Sequence, residues 1–220
     1  MPPLAPGLAR ALAGLLLLTA PAARAARASA EPVSYVVDPA TSHVRLNLGR
    51  SGLMKFLGHE HHIEAPVAEG RVLVVEGDPA RSSVQLRFES ARLALVPGSE
   101  PAADIPKVEE RMRGPEVLEV TRYPAIEFAS TSVRGERTGS SGFRLVVVGT
   151  LTLRGRSFPV EVPLEVARSA DGIEARGTIA LRLRDLGVEP PSIAGVVKVA
   201  NDFSLEFEIR AKASIAVAQP

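Results

Sequence analysis

The chain has 220 residues, 26 Lys and Arg against 25 Asp and Glu, a formal charge of +1 and no cysteine. Charges of both signs are interspersed, which excludes the basic stripe of a nucleic-acid binder. The absence of thiols excludes disulfides, thiolate metal sites, a cysteine nucleophile and a lipid-modified cysteine, and a chain of this size can bury a core without such staples.

In chain order, residues 1–30 come first. Arg10 is a lone positive charge, followed by an apolar run from Ala11 to Ala20 that includes Leu15, Leu16, Leu17 and Leu18. Small-residue sites follow at Ala23-Arg24-Ala25 and Ala28-Ser29-Ala30. This order predicts a signal peptide cleaved at Ala25 or Ala30. Its apolar run is too short to span a bilayer, which takes about 20 residues in a helix. Removing residues 1–30 removes Arg10, Arg24 and Arg27 and no acid, which takes the charge from +1 to −2. No later segment is apolar for long enough to cross a membrane as a helix. Residues 31–220 are therefore expected to form one soluble domain, periplasmic or secreted.

From Val33 onward the pattern alternates with period two. In Ser83 to Glu89, Val84, Leu86 and Phe88 oppose Gln85, Arg87 and Glu89. The run from Phe143 to Arg154 places Phe143, Leu145, Val147, Leu151 and Leu153 on one face. Phe158, Val160, Val162, Leu164 and Val166 do the same against Glu161 and Glu165. Ile173, Ile179, Leu181 and Leu183 oppose Glu174, Arg176, Arg182 and Arg184, and Leu205, Phe207 and Ile209 oppose Glu206, Glu208 and Arg210. Strands with one wet and one dry face belong to antiparallel sheet.

The connections read as turns. Gly135 to Gly142 is expected to be a hairpin loop, and Arg154-Gly155-Arg156 and Ser169 to Gly172 tighter ones. Pro159 and Pro163 fall on the outward register, where a missing N–H predicts a sheet edge, bulge or strand end. Such an edge near Pro159 is a candidate homodimer contact. One stretch departs from the alternation. Asp104, Pro106, Val108 and Met112 predict a helix, and Pro115 a second short one carrying Val117 and Leu118. The expected fold is all-β, an antiparallel up-and-down barrel of about eight strands, with this short helical insert capping one end.

Phe88, Phe128, Phe143, Phe158 and Phe207 share the dry register with Leu86, Leu145, Val147, Val160 and Leu181. Over the clearest strands that register carries no Ser/His/Asp set, paired carboxylates or lysine. Two readings stay open at this point: a filled core, or the wall of an apolar cavity. A cavity of this kind would bind by burial alone, at about 0.8 kcal/mol per CH₂. The expected partner is then an apolar lipid, with no catalytic residue and no cofactor.

Gly58 to His62 reads GHEHH. On a strand, His59 and His61 would share a face and could hold one metal ion, given a third ligand from His43, Glu60 or Glu64. Glu60 and His62 would share the opposite face, and Gly52 and Gly58 argue for loop. Three readings follow: a polar rim at the barrel mouth, a contact for a lipid head group made by His59 and His61, or a metal site using His59, His61 and His62, which is the enzymatic alternative. Ser130, Ser140 and Ser141 lack a strand–turn–helix elbow and read as sheet and turn serines. Lys107, Arg111 and Arg113 read as a solvated helix face, and Arg182, Arg184 and Asp185 as surface pairs.

Four motifs carry a family likeness. Tyr35-Val36-Val37-Asp38-Pro39, Tyr123 to Ser130, Gly149 to Gly155 and Arg184-Asp185-Leu186-Gly187 occur in the order and spacing that resemble the YceI-like family, over about Val33 to Ala213. The resemblance implies a lipocalin-like barrel of secreted bacterial proteins, some members of which hold a polyisoprenoid, and hence lipid binding rather than catalysis. Two segments depart from the family pattern. Lys107 to Met112 replaces an Arg-Asp-x-His-Leu type stretch, and the histidine cluster is an addition. Both are expected near a barrel end, where ligand selectivity would be set.

Overall fold

The structure is a computed structural model that describes residues 31–51, 61–193 and 197–214. The expected signal peptide lies outside the described residues. The strands are β1 (Val33–Val37), β2 (His43–Ser51), β3 (His61–Glu64), β4 (Val67–Val74), β5 (Ser83–Glu89), β6 (Ala94–Leu95), β7 (Ala125–Thr138), β8 (Gly142–Leu153), β9 (Arg156–Ser169), β10 (Gly172–Arg182), β11 (Ser192–Ile193) and β12 (Val197–Ala213). The one α-helix among the described residues, α1, spans Ile105–Arg113.

Every pairing is antiparallel. Eight strands form a ring in the order β1-β4-β5-β7-β8-β9-β10-β12, which β1 closes against β12 through Tyr35 opposite Ala213 and Val37 opposite Ala211. The upstream part of β12 pairs instead with β2, which leads to β3 and β6 and extends the wall beyond the ring. The alternation dictates the two faces. Phe207 meets Gly177 and Leu205 meets Ile179 on the inside, while Arg134–Glu161 at 2.9 Å and Arg210–Glu174 at 3.1 Å are paired on the outside. Such exposed pairs contribute at most about 1 kcal/mol each, so closure rests on the inner face.

Loop chemistry sets the two ends. Arg154 and Gly155, both at positive φ (51° and 67°), make the two-residue turn from β8 to β9. Gly135 was expected in a loop but lies in β7 opposite Leu145, at φ 148°. The ladder survives there because a glycine at that φ brings no Cβ into the β8 backbone, so the loop contracts to residues 139–141. The 139–141 loop, with residues 75–82 and 170–171, marks the hairpin end of the barrel; α1 and the turns at 154–155 and 184–187 mark the helix end.

The prolines of β9 coincide with a seam. β9 stays paired with β8 along its length, but its ladder to β10 covers only Glu165–Ser169 against Gly172–Arg176. Beyond Pro163 the two strands part, in line with the irregularity its missing N–H predicts.

The insert is one helix, not two. Pro106 stands in its first turn, and Asp104 occupies the N-cap position without a side-chain cap bond. After Gly114 the chain makes turns: Leu118 N–H donates to Met112 O at 3.1 Å, Glu119 N–H to Gly114 O at 2.8 Å, and Glu119 takes φ 50°. Pro115 contributes no N–H, and a left-handed residue four positions on ends any helical run. Met112 and Leu118 are nevertheless buried in the core, with Val108 packed on it. Glu109 accepts the Leu95 N–H at 3.0 Å, which covers the short edge strand β6.

Candidate functional site

The inward register separates into two zones. At the helix end, Leu48, Ile63, Leu93, Leu95, Met112, Leu118, Leu153, Leu183, Leu186, Val188 and Phe203 are buried in one continuous core with Val67 and Phe88. Leu86, Phe158, Leu181 and Phe207 are half-buried and pack on its margin. Phe128, Phe143, Leu145 and Val160 also point inward and are half-buried, but the core does not extend to them; nor does it reach Val162, Leu164 or Val166. Val147 is buried outside that core. A side chain that faces into a closed ring yet keeps accessible surface borders space that neighbouring atoms do not fill. This is the wall, formed by β7, β8 and β9.

Two glycines allow rings to lie flat on the inside. A Cβ at Gly149 would come within 2.6 Å of the Phe128 ring, and one at Gly177 within 2.6 Å of the Phe207 ring. An open groove of about 750 Å³ crosses the outer face of the barrel, lined mostly by outward residues such as Arg45, Arg144, Arg176 and Glu208, and reaches Leu164 and Phe207 where β9 and β10 begin to part.

At the hairpin end the inward register turns basic. The Arg137 guanidinium stacks over Phe143 at 5.5 Å. Arg168 takes the inward register of β9, opposite Ile173, and its Nη1 stands 3.1 Å from Glu76 Oε1. Glu76 follows β4, and β4 and β9 occupy opposite sides of the eight-strand ring. This ion pair accordingly crosses the barrel mouth.

The histidines fall into different environments. His59 lies outside the described residues, as do Gly58 and Glu60. His61 pairs with Leu48 and shares its inward face. His61 Nδ1 stands 2.6 Å from Glu100 Oε1, and the Glu100 side chain is only 2% exposed. The approach is off-axis for a hydrogen bond, and neither atom has such a bond to any other described group. His62 faces outward and meets Asn47 Oδ1 at 2.7 Å, while Asn47 donates to Glu206 at 3.0 Å. His43 is an exposed partner of Glu64 at 3.4 Å. Among the described residues no three metal-capable side chains converge.

The serines are structural. Ser130 Oγ accepts the Val84 N–H at 2.8 Å beside a bulge in β7, and buried Ser90 bonds to Tyr123 O and Pro124 O. Among the described residues no helix is long and apolar enough to cross a membrane.

A family model for the YceI-like domain matches residues 35–211. The chain belongs to the YceI-like family. Two solved structures show the same fold. BcnA of Burkholderia cenocepacia is 19% identical, with a TM-score of 0.56 over 80% of this chain and 99% of its own. A domain from Saccharophagus degradans, described as polyisoprenoid binding and implicated in plant cell wall breakdown, is 16% identical, with a TM-score of 0.56 over 83% of this chain and 99% of its own. A search of curated proteins found no match.

Apart from Phe128 and Gly149, which belong to the inner face, the motif residues of this YceI-like chain chiefly build the barrel's closure and turns. Tyr35 and Val37 are buried where β1 closes on β12. Asp38 holds the junction: a hydrogen bond from Lys212 Nζ at 2.8 Å, aided by the Ala40 N–H, keeps its carboxyl below the usual range and raises the Lys212 ammonium. Gly155 makes room for the Tyr123 ring. Arg184 grips Glu189 through Nη2 at 2.7 Å and Nε at 3.2 Å, which raises its guanidinium above the ordinary value, and Gly187 at φ 70° closes the turn that buries Leu186. Sequence reasoning missed Glu100 and the Glu76–Arg168 bridge. A carboxylate in a turn-rich stretch gives no sign of burial, and Arg168 reads simply as the polar end of an apolar run, as Arg156 does at the other end.

Proposed function

We propose that this YceI-like barrel is a non-catalytic, secreted or periplasmic carrier that sequesters a long apolar lipid, an isoprenoid or isoprenoid quinone. The observation that carries the reading is the inner wall, where Phe143, Leu145, Val160, Val162 and Leu164 face inward without being packed away. A wall of this kind offers dispersion and desolvation along its length. At about 0.8 kcal/mol per buried CH₂, a chain of roughly a dozen carbons gains enough to bind without polar contacts. The Saccharophagus relative described as polyisoprenoid binding supports the ligand class. The charged, apolar and small-residue order of residues 1–30 supports export.

Native mass spectrometry of the exported protein tests both parts. The expected spectrum contains a copurified lipid and a mature N-terminus after Ala25 or Ala30. A protein that carries no lipid and takes up none from isoprenoid-loaded vesicles would refute the carrier reading.

A further inference from the structure

We propose that Arg137 and Arg168 form the polar end of the ligand site and select an isoprenoid that ends in a phosphate over one that ends in a hydroxyl. The inference rests on the carrier reading and assigns its head-group contact to the barrel mouth at the hairpin end.

The two arginines stand where the unpacked wall stops. Along the inner face Leu145 lies opposite Leu164 and Phe143 opposite Val166, and all four side chains are half-buried outside the core. Arg137 is the β7 partner of Phe143, and Arg168 is the next inward residue of β9 after Val166. The Arg168 N–H donates to Ser141 O at 2.9 Å, which carries the β8–β9 contact toward the end of the strand. The two arginines are thus two strand spacings apart, about 10 Å at the backbone, and offset by one pleat.

Their side chains are arranged for a shared partner. The Arg137 guanidinium lies over the Phe143 ring at 5.5 Å, on the strand between them, and so leans toward Arg168. An aromatic face under a guanidinium holds it in place and leaves its N–H edge free. Among the described residues no carboxylate pairs with Arg137. Arg168 has one partner of that kind, Glu76 at 3.1 Å, whose side chain is 64% exposed. An ion pair that open to water is weak. Of the other acids at this end, Glu136 lies opposite Arg144 on the outer register, and Asp78 and Asp171 lie in the loops. Two guanidiniums against one carboxylate leave the inner face of the mouth with one positive charge in excess.

A lipid laid along Leu145, Leu164, Val166 and Phe143 brings its head among these groups. A hydroxyl there gains one hydrogen bond, which water offers equally. A phosphate presents several charged oxygens to two planar forks, and such charge-assisted bonds are about twice as strong as neutral ones. It also replaces Glu76 as the counter-charge of Arg168, displacing only a weak pair.

Partitioning from phosphatidylcholine vesicles tests this with a prenyl phosphate, the matching prenol, the headless hydrocarbon squalene and, as a soluble competitor, inorganic phosphate. At low salt the prenyl phosphate is expected to bind the unmodified protein about tenfold more tightly than the prenol, a margin that shrinks as salt is added. Arg137→Gln and Arg168→Gln should each weaken the prenyl phosphate about tenfold and shift prenol and squalene much less. Glu76→Gln should act in the opposite direction, tightening the phosphate by about threefold, which damage to the fold would not do. Arg137→Lys, which keeps the charge without the fork, should fall between Arg137→Gln and the parent, with circular dichroism confirming the fold of each variant. Equal affinity for phosphate and prenol, equal losses for all three lipids, or a weaker phosphate in Glu76→Gln would overturn the assignment and leave the carrier reading intact. Inorganic phosphate binding as tightly as the prenyl phosphate would mark an anion site unconnected with the wall and overturn it as well. Failure of the unmodified protein to take up any of the three lipids would overturn both readings.

Discussion

The helix end and the β7–β9 wall carry the same alternating pattern, yet the first is packed throughout and the second is buried only around the Val133–Val147 pair. Phe88, Leu153 and Phe203 are each no more than 8% exposed, whereas Leu145, Val160 and Leu164 point the same way and stay half-buried. Hydrophobicity does not separate the two groups. What stands opposite does: α1 and the turns after it deliver Met112 and Leu118 into the helix end, and the 184–188 turn adds Leu186 and Val188. The wall receives no such plug, and its strands part from β10 beyond Pro163. Alternation thus reports which way a side chain points, and only a third element decides whether it finds a neighbour.

The contrast can be broken by truncation. Phe88→Ala is expected to destabilise by about 3–5 kcal/mol because it opens a cavity in a packed region. Leu164→Ala should lose less than about 1.5 kcal/mol, the transfer contribution without a new void. Urea unfolding measures both, and equal losses would mean that the wall is as closely packed as the core.

Filling gives the reverse order. Ala211→Leu, at a site 3% exposed, should be destabilising by about 1–3 kcal/mol through overpacking. Leu145→Trp should leave the unfolding midpoint nearly unchanged while reducing uptake of an isoprenoid quinone at least tenfold, read by the same vesicle partitioning. A strongly destabilised Leu145→Trp protein would contradict the account of the wall.

Smaller effects are expected at the mouth and at the barrel's closure. Arg168→Ala removes the Glu76 bridge across the hairpin end and should change stability by no more than about 1 kcal/mol, while accelerating lipid release in stopped-flow transfer to vesicles. An unchanged release rate would show that the lipid leaves elsewhere, the β9–β10 seam being the next route to test. Asp38→Asn probes the closure through its pH dependence. Because the folded carboxyl titrates below its ordinary value of 3.8, its contribution is present above that value and is lost as pH falls through the lower, folded value. The variant should therefore melt slightly below the parent at neutral pH, with the difference vanishing under more acid conditions. A difference that grows in acid would reverse the assigned sign.

Local rules accounted for much of the fold. Period-two alternation gave each strand its wet and dry faces, Arg154-Gly155 marked a two-residue turn, and Pro163 marked an irregular edge. Elsewhere the local signal was weaker than its context. Pro115 looked like the start of a second helix, but Glu119 turns the chain back instead, and Gly135 looked like loop while its backbone continued the ladder.

The sequence by itself determined which side chains face the interior, because adjacent Cβ atoms on a strand must point to opposite sides. It did not determine what they face. The union of His61 with Glu100, the bridge from Arg168 to Glu76 across 92 positions, and the division between packed core and open wall arise only when the ring closes. Strand sidedness is a property of neighbouring peptide units; contact across a barrel depends on strand order and on which loops fold inward, and the spacing of residues along one strand carries no record of either.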